Sequence, residues 1–149
     1  MNESLFASEL FGHELFDPET ERLDEINERL RLIQYGRGLT FGTDSYFLAA
    51  FARAKSGGVC VELGGGTGVV SLLMASRGKF KTIHCAEIQP YFASLIGRNA
   101  RLNSLESTVI PILADIRELS SADFGAEFDS VVSNPPYMKL SSGKNNLTP

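Results

Sequence analysis

A glycine-dense turn between two apolar runs constrains the fold of this chain more than any other feature. The stretch 59–68 reads Val-Cys-Val-Glu-Leu-Gly-Gly-Gly-Thr-Gly, and the mostly apolar run 69–74 follows it directly. A buried strand that leads into a glycine loop and a helix N-terminus forms a nucleotide pocket, because the loop backbone can approach a ligand where no Cβ intervenes. The stretch therefore predicts a nucleotide site in an α/β fold.

The spacing of the glycines separates the known nucleotide motifs. Gly64, Gly66 and Gly68 give G-x-G-x-G, whereas the dinucleotide fingerprint needs a glycine where Val69 stands. A P-loop would need Gly-Lys-Ser/Thr after the turn, and the acidic Glu62 before the first glycine belongs to neither motif. A nucleotide-binding oxidoreductase is therefore disfavoured, and an ordinary glycine-rich βα turn remains the alternative for this stretch alone.

The composition is that of a globular domain. The chain has 149 residues, of which 43% are hydrophobic and 21% charged, and it has no apolar run near the roughly 18 residues that span a bilayer. We read no signal peptide. Cys60 and Cys85 lie in strand-like apolar runs, so we expect buried free thiols in a reducing cytoplasm and no metal site. The net charge of −4 argues mildly against a nucleic-acid partner.

Alternating strand and helix patterns after the glycine loop predict a doubly wound α/β fold with a mainly parallel sheet. The predicted elements that follow the first strand are a helix at 69–77, a strand at 82–88, a helix at 90–102, and strands at 108–114 and 128–133. Pro111 predicts that its strand lies at a sheet edge. We expect four parallel strands with helices on both faces.

The first 57 residues predict an extension ahead of a core at 58–149. Its predicted elements are a helix at 17–27, a hairpin formed by 29–34 and 39–41, and a second helix at 43–52. Asp17-Pro18-Glu19 is typical of a helix start, and Thr43 or Asp44 is the expected cap of the second helix. Leu-Phe pairs repeat every five positions from Leu5 to Phe16, a period of neither helix nor strand, and we interpret them as structural.

Polar residues follow each predicted parallel strand at its carboxyl end, where ligands bind in such sheets. Glu62 ends the first strand, and Glu87 ends the second, where an acid can accept hydrogen bonds from both ribose hydroxyls. After the third strand, the Asp115 carboxylate can accept from an adenine amino group, and Ile116 can cover its ring. The fourth strand ends at 134–137.

The sequence Asn-Pro-Pro-Tyr at 134–137 is the most specific signal in the chain. Pro135 and Pro136 fix the backbone and lack N–H donors, so the carbonyls there can accept hydrogen bonds from a substrate. The Asn134 side-chain oxygen is a further acceptor, and Tyr137 offers a flat face for stacking. Such a site fits an amino group conjugated to a ring or carbonyl; the alternative is a proline-stiffened turn.

These two motifs resemble those of the class I S-adenosylmethionine-dependent methyltransferases. The stretch 62–68 is similar to motif I, and 134–137 is similar to motif IV of the enzymes that methylate adenine N6, cytosine N4 or a glutamine amide. The segments 32–34, 38–44 and 48–52 further resemble the bacterial family that methylates adenine N6 in a valine tRNA, beside the anticodon. The resemblance implies a Rossmann-like methyltransferase core in the cytoplasm.

The resemblance also implies roles for individual residues. S-adenosylmethionine would be the cofactor, S-adenosylhomocysteine its product and tRNA the substrate, with neither DNA nor a membrane as partner. The implied cofactor-binding residues are Thr43, Asp44, Glu62, Leu63, Gly64, Gly66, Thr67, Gly68, Glu87, Ile88, Asp115, Ile116 and Asn134. The residues implied to hold the target amine are Asn134, Pro135, Pro136 and Tyr137.

The family fold has seven strands, and only four parallel strands are predicted here. We therefore expect a truncated chain that ends in the loop after motif IV, with exposed sheet edges that favour self-association. Two alternatives remain. One is a glutamine methyltransferase acting on release factors, although those enzymes usually carry a separate helical domain before the motif. The other is a cofactor-binding fragment without catalysis.

Overall fold

The computed structural model contains a four-stranded parallel sheet and a two-stranded antiparallel hairpin. It describes residues 15–37, 41–124 and 127–135. The strands are β1 (Glu21–Asn27), β2 (Leu30–Tyr35), β3 (Val59–Leu63), β4 (Thr82–Glu87), β5 (Val109–Leu113) and β6 (Ser130–Ser133). The helices are α1 (Thr43–Phe51), α2 (Val69–Ser76) and α3 (Pro90–Leu102), with a 3₁₀ turn at Ser121–Phe124.

The parallel sheet has the order β5-β4-β3-β6, which confirms the predicted doubly wound fold. The chain moves outward from β3 through β4 to β5 and then returns to pair β6 with the other side of β3. The carboxyl ends of β3 and β6 thus flank the point where the strand order reverses, which is where such sheets bind ligands. In the described part of the chain β5 pairs only with β4, so the predicted edge position of Pro111 is confirmed.

Helices α2 and α3 lie on the same face of the sheet. Glu62, Cys85 and Pro111 stand in one row across β3, β4 and β5, so their side chains share a face. The Glu62 carboxylate meets Ser71 of α2, and a Cβ built on Gly97 of α3 would lie 3.4 Å from Pro111. α1 packs against α2.

The opposite face is covered differently from the expectation of helices on both sides. The ring of His84 in β4 packs against Phe124 and Phe128, at centroid distances of 5.2 and 6.1 Å. These residues belong to the return connection from β5 to β6, which a right-handed crossover places on this face. Within the described residues, this connection carries only a short 3₁₀ turn there.

Helix α2 forms the centre of the core. Residues 69–75 are all buried, so this stretch of the helix has no solvent-facing side, and Ser71 is its one polar residue. The largest fully buried aliphatic side chains in this core include Leu72, Leu73, Met74, Ile83 and Ile96. Cys60 and Cys85 are buried free thiols, as expected. No helix in the described part of the chain is long and apolar enough to cross a bilayer.

Two asparagines, Asn99 of α3 and Asn103 at its C-cap, attach the hairpin to the core. The Asn99 amide donates to the Ile33 carbonyl at 3.0 Å and accepts from the Ile33 N–H at 2.7 Å. One helical turn later, Asn103 makes the same pair of bonds with Arg31, at 2.7 and 2.9 Å. The helix thus supplies β2 with the hydrogen-bond partners that a neighbouring strand would provide.

A buried ion pair fixes the start of β1 to the same helix. Glu21 accepts two hydrogen bonds from the Arg98 guanidinium, at 2.7 and 2.8 Å, and one from the Tyr91 hydroxyl at 2.8 Å. Burial and the hydrogen bond to Glu21 raise the pKa of Tyr91, so this hydroxyl stays a donor. Arg98 also donates to the Leu15 carbonyl, which ties down the chain ahead of the hairpin.

The predicted helix at 17–27 is wrong. Residues 17–20 form a turn in which the Asp17 carbonyl accepts from the N–H of Glu21, and its carboxylate accepts from the N–H of Glu19. Leu23 then lies opposite Ile33 in the hairpin. The helical spacing of apolar residues was misleading because it ran across two strands, and pairing with β2 overrides local helix preference.

The hairpin also has a different partner from the one predicted. β2 covers the predicted strand at 29–34, but it pairs with β1 across a turn at 28–29, where Asn27 Oδ1 accepts from two backbone N–H groups. Of the strand predicted at 39–41, residues 39 and 40 lie outside the described part, and Phe41 is not in a strand. The N-cap of α1 is Gly42, with no side-chain cap bond, so the predicted capping by Thr43 or Asp44 is wrong.

Replacing Asn99 with alanine should destabilise the fold more than the same change at Asn103. Asn99→Ala leaves the buried N–H and carbonyl of Ile33 without partners, which should lower the free energy of unfolding by about 1–3 kcal/mol. Asn103→Ala exposes equivalent groups of Arg31 to water and should cost less than about 1 kcal/mol. Urea denaturation of both variants measures the difference. Equal losses would contradict the larger contribution expected from the buried hydrogen bonds between Asn99 and Ile33.

Candidate functional site

The glycine loop between β3 and α2 has a backbone that only glycine adopts without strain. The φ angles of Gly64, Gly66 and Gly68 are 74°, 55° and 82°. A Cβ on Gly64 or Gly66 would meet nothing within 4 Å, so these two glycines are required for conformation, and their side of the loop is open. The N–H groups of Gly64 and Gly65 both donate to the Ala86 carbonyl, at 2.9 and 3.0 Å, which anchors the loop to β4.

Gly65 is required for a different reason, namely close packing. A Cβ at this position would lie 2.2 Å from Cys85 Sγ and 3.2 Å from Ile96 Cδ1. The G-x-G-x-G pattern leaves position 65 open, so the sequence predicted no role for Gly65. The loop therefore rests directly on the β4 thiol.

Glu62 lies beneath the loop. Its side chain is buried, and its Oε2 accepts from the Ser71 N–H at 3.0 Å, from the Ser71 hydroxyl and from the Cys85 thiol at 3.4 Å. Burial raises the pKa of Glu62 to about 7, although the hydrogen bonds from Ser71 oppose the shift. The carboxyl group thus supports the first turn of α2 from below, and the cofactor contact that the resemblance implied for Glu62 stays a prediction.

Glu87 closes the other side of the loop. Its Oε2 accepts from the Gly66 N–H at 2.9 Å, and its Oε1 accepts from the Gln89 N–H at 3.0 Å. A carboxylate has about four acceptor positions, so each oxygen can accept a second hydrogen bond. Glu87 therefore lies beside the loop and has acceptor positions left for the predicted hydrogen bonds from ribose hydroxyls.

The ends of β4 and β5 present apolar side chains to solvent. Ile88, Leu113 and Ile116 are 55%, 58% and 47% exposed, respectively. Beside them, the Asp115 carboxylate accepts hydrogen bonds from the backbone N–H and the guanidinium of Arg117. This pairing lowers the pKa of Asp115 to about 2. Asp115 is therefore an anion whose carboxylate already accepts hydrogen bonds from Arg117.

Asn134 follows β6 and contacts helix α1. Ser133 is in register with Leu63, so Asn134 and Gly64 follow neighbouring strands at the same edge of the sheet. Asn134 Nδ2 donates to Asp44 Oδ2 at 2.7 Å and approaches Ser45 Oγ at 3.5 Å. The structure thus places Asp44, implied as a cofactor neighbour, against the first residue of the Asn-Pro-Pro-Tyr sequence.

The structure brings most of the implied site residues to one edge of the sheet. The residues that lie at the strand ends or in the loops that follow them are Glu62, Leu63, Gly64, Gly66, Thr67, Gly68, Glu87, Ile88, Asp115, Ile116, Asn134 and Pro135. Thr43 and Asp44 begin α1, and Asp44 reaches this edge through its hydrogen bond from Asn134. Pro136 and Tyr137 lie outside the described residues.

Sequence reasoning missed three residues that support the loop from behind: Ser71, Cys85 and Asn99. Besides its bonds to β2, Asn99 donates to the Thr67 carbonyl at 2.9 Å, so it links the hairpin to the glycine loop. Ser71 and Asn99 are fully buried. A signal was available for both, because each is a polar residue at a core-facing position of a helix.

Comparison with known proteins gives the family. The sequence model of the TRM5/TYW2 methyltransferase domain matches residues 48–141, which is more than half of the chain. The chain belongs to this family. A tRNA1(Val) (adenine(37)-N6)-methyltransferase of Porphyromonas gingivalis is 31% identical over 120 residues, which make up 76% of this chain and 47% of that protein.

Solved structures show the same fold as this TRM5/TYW2 family member. The M. jannaschii tRNA m1G37 methyltransferase aligns with a TM-score of 0.57 at 26% identity, over 68% of this chain and 32% of that chain. M. jannaschii TYW2 in complex with AdoMet aligns with a TM-score of 0.58 at 23% identity, over 70% and 48% respectively. The predicted Rossmann-like methyltransferase fold is confirmed, and the chain spans about half or less of the length of these proteins.

The contact between Gly65 and Cys85 can be tested with a double-mutant cycle. Gly65→Ala should lower the free energy of unfolding by about 1–3 kcal/mol, because the new methyl group overlaps the thiol. In a Cys85→Ala background the overlap with the thiol is removed and only the 3.2 Å approach to Ile96 Cδ1 stays tight, so the same change should cost less than half as much. Chemical denaturation of the four proteins gives the coupling energy, and additive losses would contradict the contact.

The buried Glu62 carboxyl should make stability depend on pH. Its folded pKa of about 7 lies above the ordinary value of 4.5, so the unfolded chain loses this proton first as the pH rises. The stabilising contribution is therefore complete below pH 4.5 and declines up to about pH 7, by on the order of 3 kcal/mol. The difference in unfolding free energy between wild type and Glu62→Gln, measured across this range, should show the decline, and a flat difference would contradict it.

Proposed function

We propose that this chain is the cofactor-binding part of an S-adenosylmethionine-dependent tRNA methyltransferase that acts on N6 of the adenine beside the anticodon. The observation that carries the proposal is the meeting of the glycine loop, Glu87 and Asn134 at one edge of the sheet. The resemblance to adenine-N6 methyltransferases supports adenine N6 as the acceptor, and membership of the TRM5/TYW2 family supports methyl transfer as the reaction.

The residues present fit S-adenosylmethionine. The open side of Gly64 and Gly66 leaves room for a ligand against the loop backbone. Glu87 has acceptor capacity for ribose hydroxyls, and the exposed Ile88 and Ile116 offer apolar surface for the adenine ring. Asp115 would accept a hydrogen bond from the adenine amino group if Arg117 released one of the carboxylate oxygens.

The Asn134 side chain and the main chain at 134–135 supply acceptors that would hold the target amine. S-adenosylmethionine supplies, when bound, an electrophilic methyl group on its sulfonium. The Asn134 side-chain oxygen and a main-chain carbonyl would each accept a hydrogen bond from one of the two N–H groups of the target amine. This would direct the nitrogen lone pair toward that methyl group. As the new N–C bond forms, the S–C bond to the methyl group would break and its electron pair would stay on sulfur, giving S-adenosylhomocysteine. The methylated nitrogen is then acidic, so it would release a proton to water without a strong base.

A second candidate is methylation of guanine N1, since the M. jannaschii neighbour of 26% identity is a tRNA m1G37 methyltransferase. N1 of guanine carries one ring N–H, whereas N6 of adenine carries two exocyclic N–H bonds. A pair of acceptors at 134–135 suits the latter. The glutamine methyltransferase and the non-catalytic fragment stay as the further alternatives.

Binding of S-adenosylhomocysteine tests the cofactor site directly. Calorimetric titration of the chain should give one-to-one binding, and Glu87→Ala should weaken it about 10- to 100-fold, because the ribose hydroxyls lose a charged acceptor. Glu106→Ala is the matched control, since this exposed acid precedes β5 and so lies near the amino-terminal ends of the strands, away from the candidate site. Equal affinity in wild type and Glu87→Ala would contradict the assigned ribose contact.

Transfer to RNA tests the reaction. Valine tRNA transcripts with adenine or guanine at position 37 are incubated with labelled S-adenosylmethionine, and the nucleosides are identified by mass spectrometry. The proposal expects N6-methyladenosine from the first transcript alone. N1-methylguanosine from the second would favour the other candidate, and methylation of release factor instead of tRNA would favour the glutamine enzyme.

A further inference from the structure

The contact between Asp44 and Asn134 joins two residues 90 positions apart in the sequence. We propose that Asp44, in place of the cofactor contact that the resemblance implied for it, is a positioning residue that sets the orientation of the Asn134 side-chain amide, with its oxygen directed away from helix α1 and toward the target amine. This inference rests on the proposed function, because the amide matters only where an amine is held.

The chemistry of the two groups fixes the orientation. A carboxylate only accepts hydrogen bonds, whereas the Asn134 amide has two donors on nitrogen and an acceptor on oxygen. Only the nitrogen can therefore face Asp44, as the 2.7 Å distance between Nδ2 and Oδ2 indicates. Since the amide is planar, holding the nitrogen toward α1 turns the oxygen to the other side.

Ser45 cannot set this orientation by itself. Its hydroxyl lies 3.5 Å from Asn134 Nδ2, at the limit of a hydrogen bond, and a hydroxyl can face either end of an amide as donor or acceptor. The Asp44 carboxylate, in contrast, can accept only from the nitrogen end of the amide. Without it, an amide with its nitrogen toward the substrate would repel the N–H bonds of the target amine.

The start of α1 is shaped to present the Asp44 carboxylate. Asp44 lies in the first turn of the helix, where the helix dipole favours an anion. Gly42 precedes it, and a Cβ at that position would lie 2.4 Å from Asp44 Oδ1. Glycine at 42 therefore leaves the space that the carboxylate occupies.

Kinetic comparison of four variants tests the positioning role: Asp44→Ala, Asp44→Asn, Asn134→Ala and the double variant Asp44→Ala/Asn134→Ala. Asp44→Ala should reduce kcat for methyl transfer at least tenfold, with the Kd for S-adenosylhomocysteine within twofold of wild type. Asp44→Asn should restore kcat only in part, since its amide can face Asn134 with either its oxygen or its nitrogen. In the Asn134→Ala background the Asp44 change should have no further effect.

Nuclear magnetic resonance provides a readout that does not depend on turnover. The chain is labelled with ¹⁵N-asparagine, and the Asn134 side-chain NH₂ signals are identified by their loss in Asn134→Ala. Asp44→Ala should shift these signals and speed their exchange with solvent, whereas the NH₂ signals of Asn99, which bonds to Ile33 and Thr67, should stay unchanged. Unchanged Asn99 signals also show that the variant is folded.

The outcomes separate this inference from the proposed function. Unaltered Asn134 signals in Asp44→Ala would overturn the positioning role, and so would a loss of cofactor affinity that matches the loss of transfer. If Asp44→Ala alters the Asn134 signals but the wild-type chain methylates no RNA, the result would support the orientation set by Asp44 and count against the proposed function. Altered signals together with a selective fall in kcat would support both.

Discussion

The close contact of the glycine loop with strand β4 is the constraint on which the rest of the structure depends. Gly65 lies against the Cys85 thiol with no room for a side chain, and the Ala86 carbonyl receives two loop N–H groups. Glu87, the next residue of β4, accepts from Gly66. Three successive residues of one strand therefore hold the loop, and the loop in turn sets where helix α2 begins.

The segment before the sheet completes the site from two directions. Asn99 of α3 binds both strand β2 and the Thr67 carbonyl, so the hairpin is coupled to the back of the glycine loop. Helix α1 reaches the front, where Asp44 meets Asn134. The N-terminal segment is thus packed into the cofactor region, and both of these contacts join residues more than 30 positions apart.

Sequence reasoning was accurate where a local pattern determines structure. The parallel strands and the helices of the core were predicted to within two residues at most ends, because their apolar runs are bounded by glycines and turn residues. Positive φ at Gly64, Gly66 and Gly68 agrees with the glycine requirement. The segment 17–27 was predicted wrongly as a helix, because its pairing with β2 and the ion pair of Glu21 with Arg98 are long-range contacts.

The sequence by itself determined the order of the core elements, the glycine loop and the polar residue that ends each parallel strand. These features follow from periodicity and backbone conformation, which act over a few residues. Only the tertiary structure decided that Glu62 accepts hydrogen bonds from α2, that Arg117 forms an ion pair with Asp115 and that Asp44 accepts from Asn134. Side-chain partners depend on which strands and helices become neighbours, and that is fixed only when the whole domain packs.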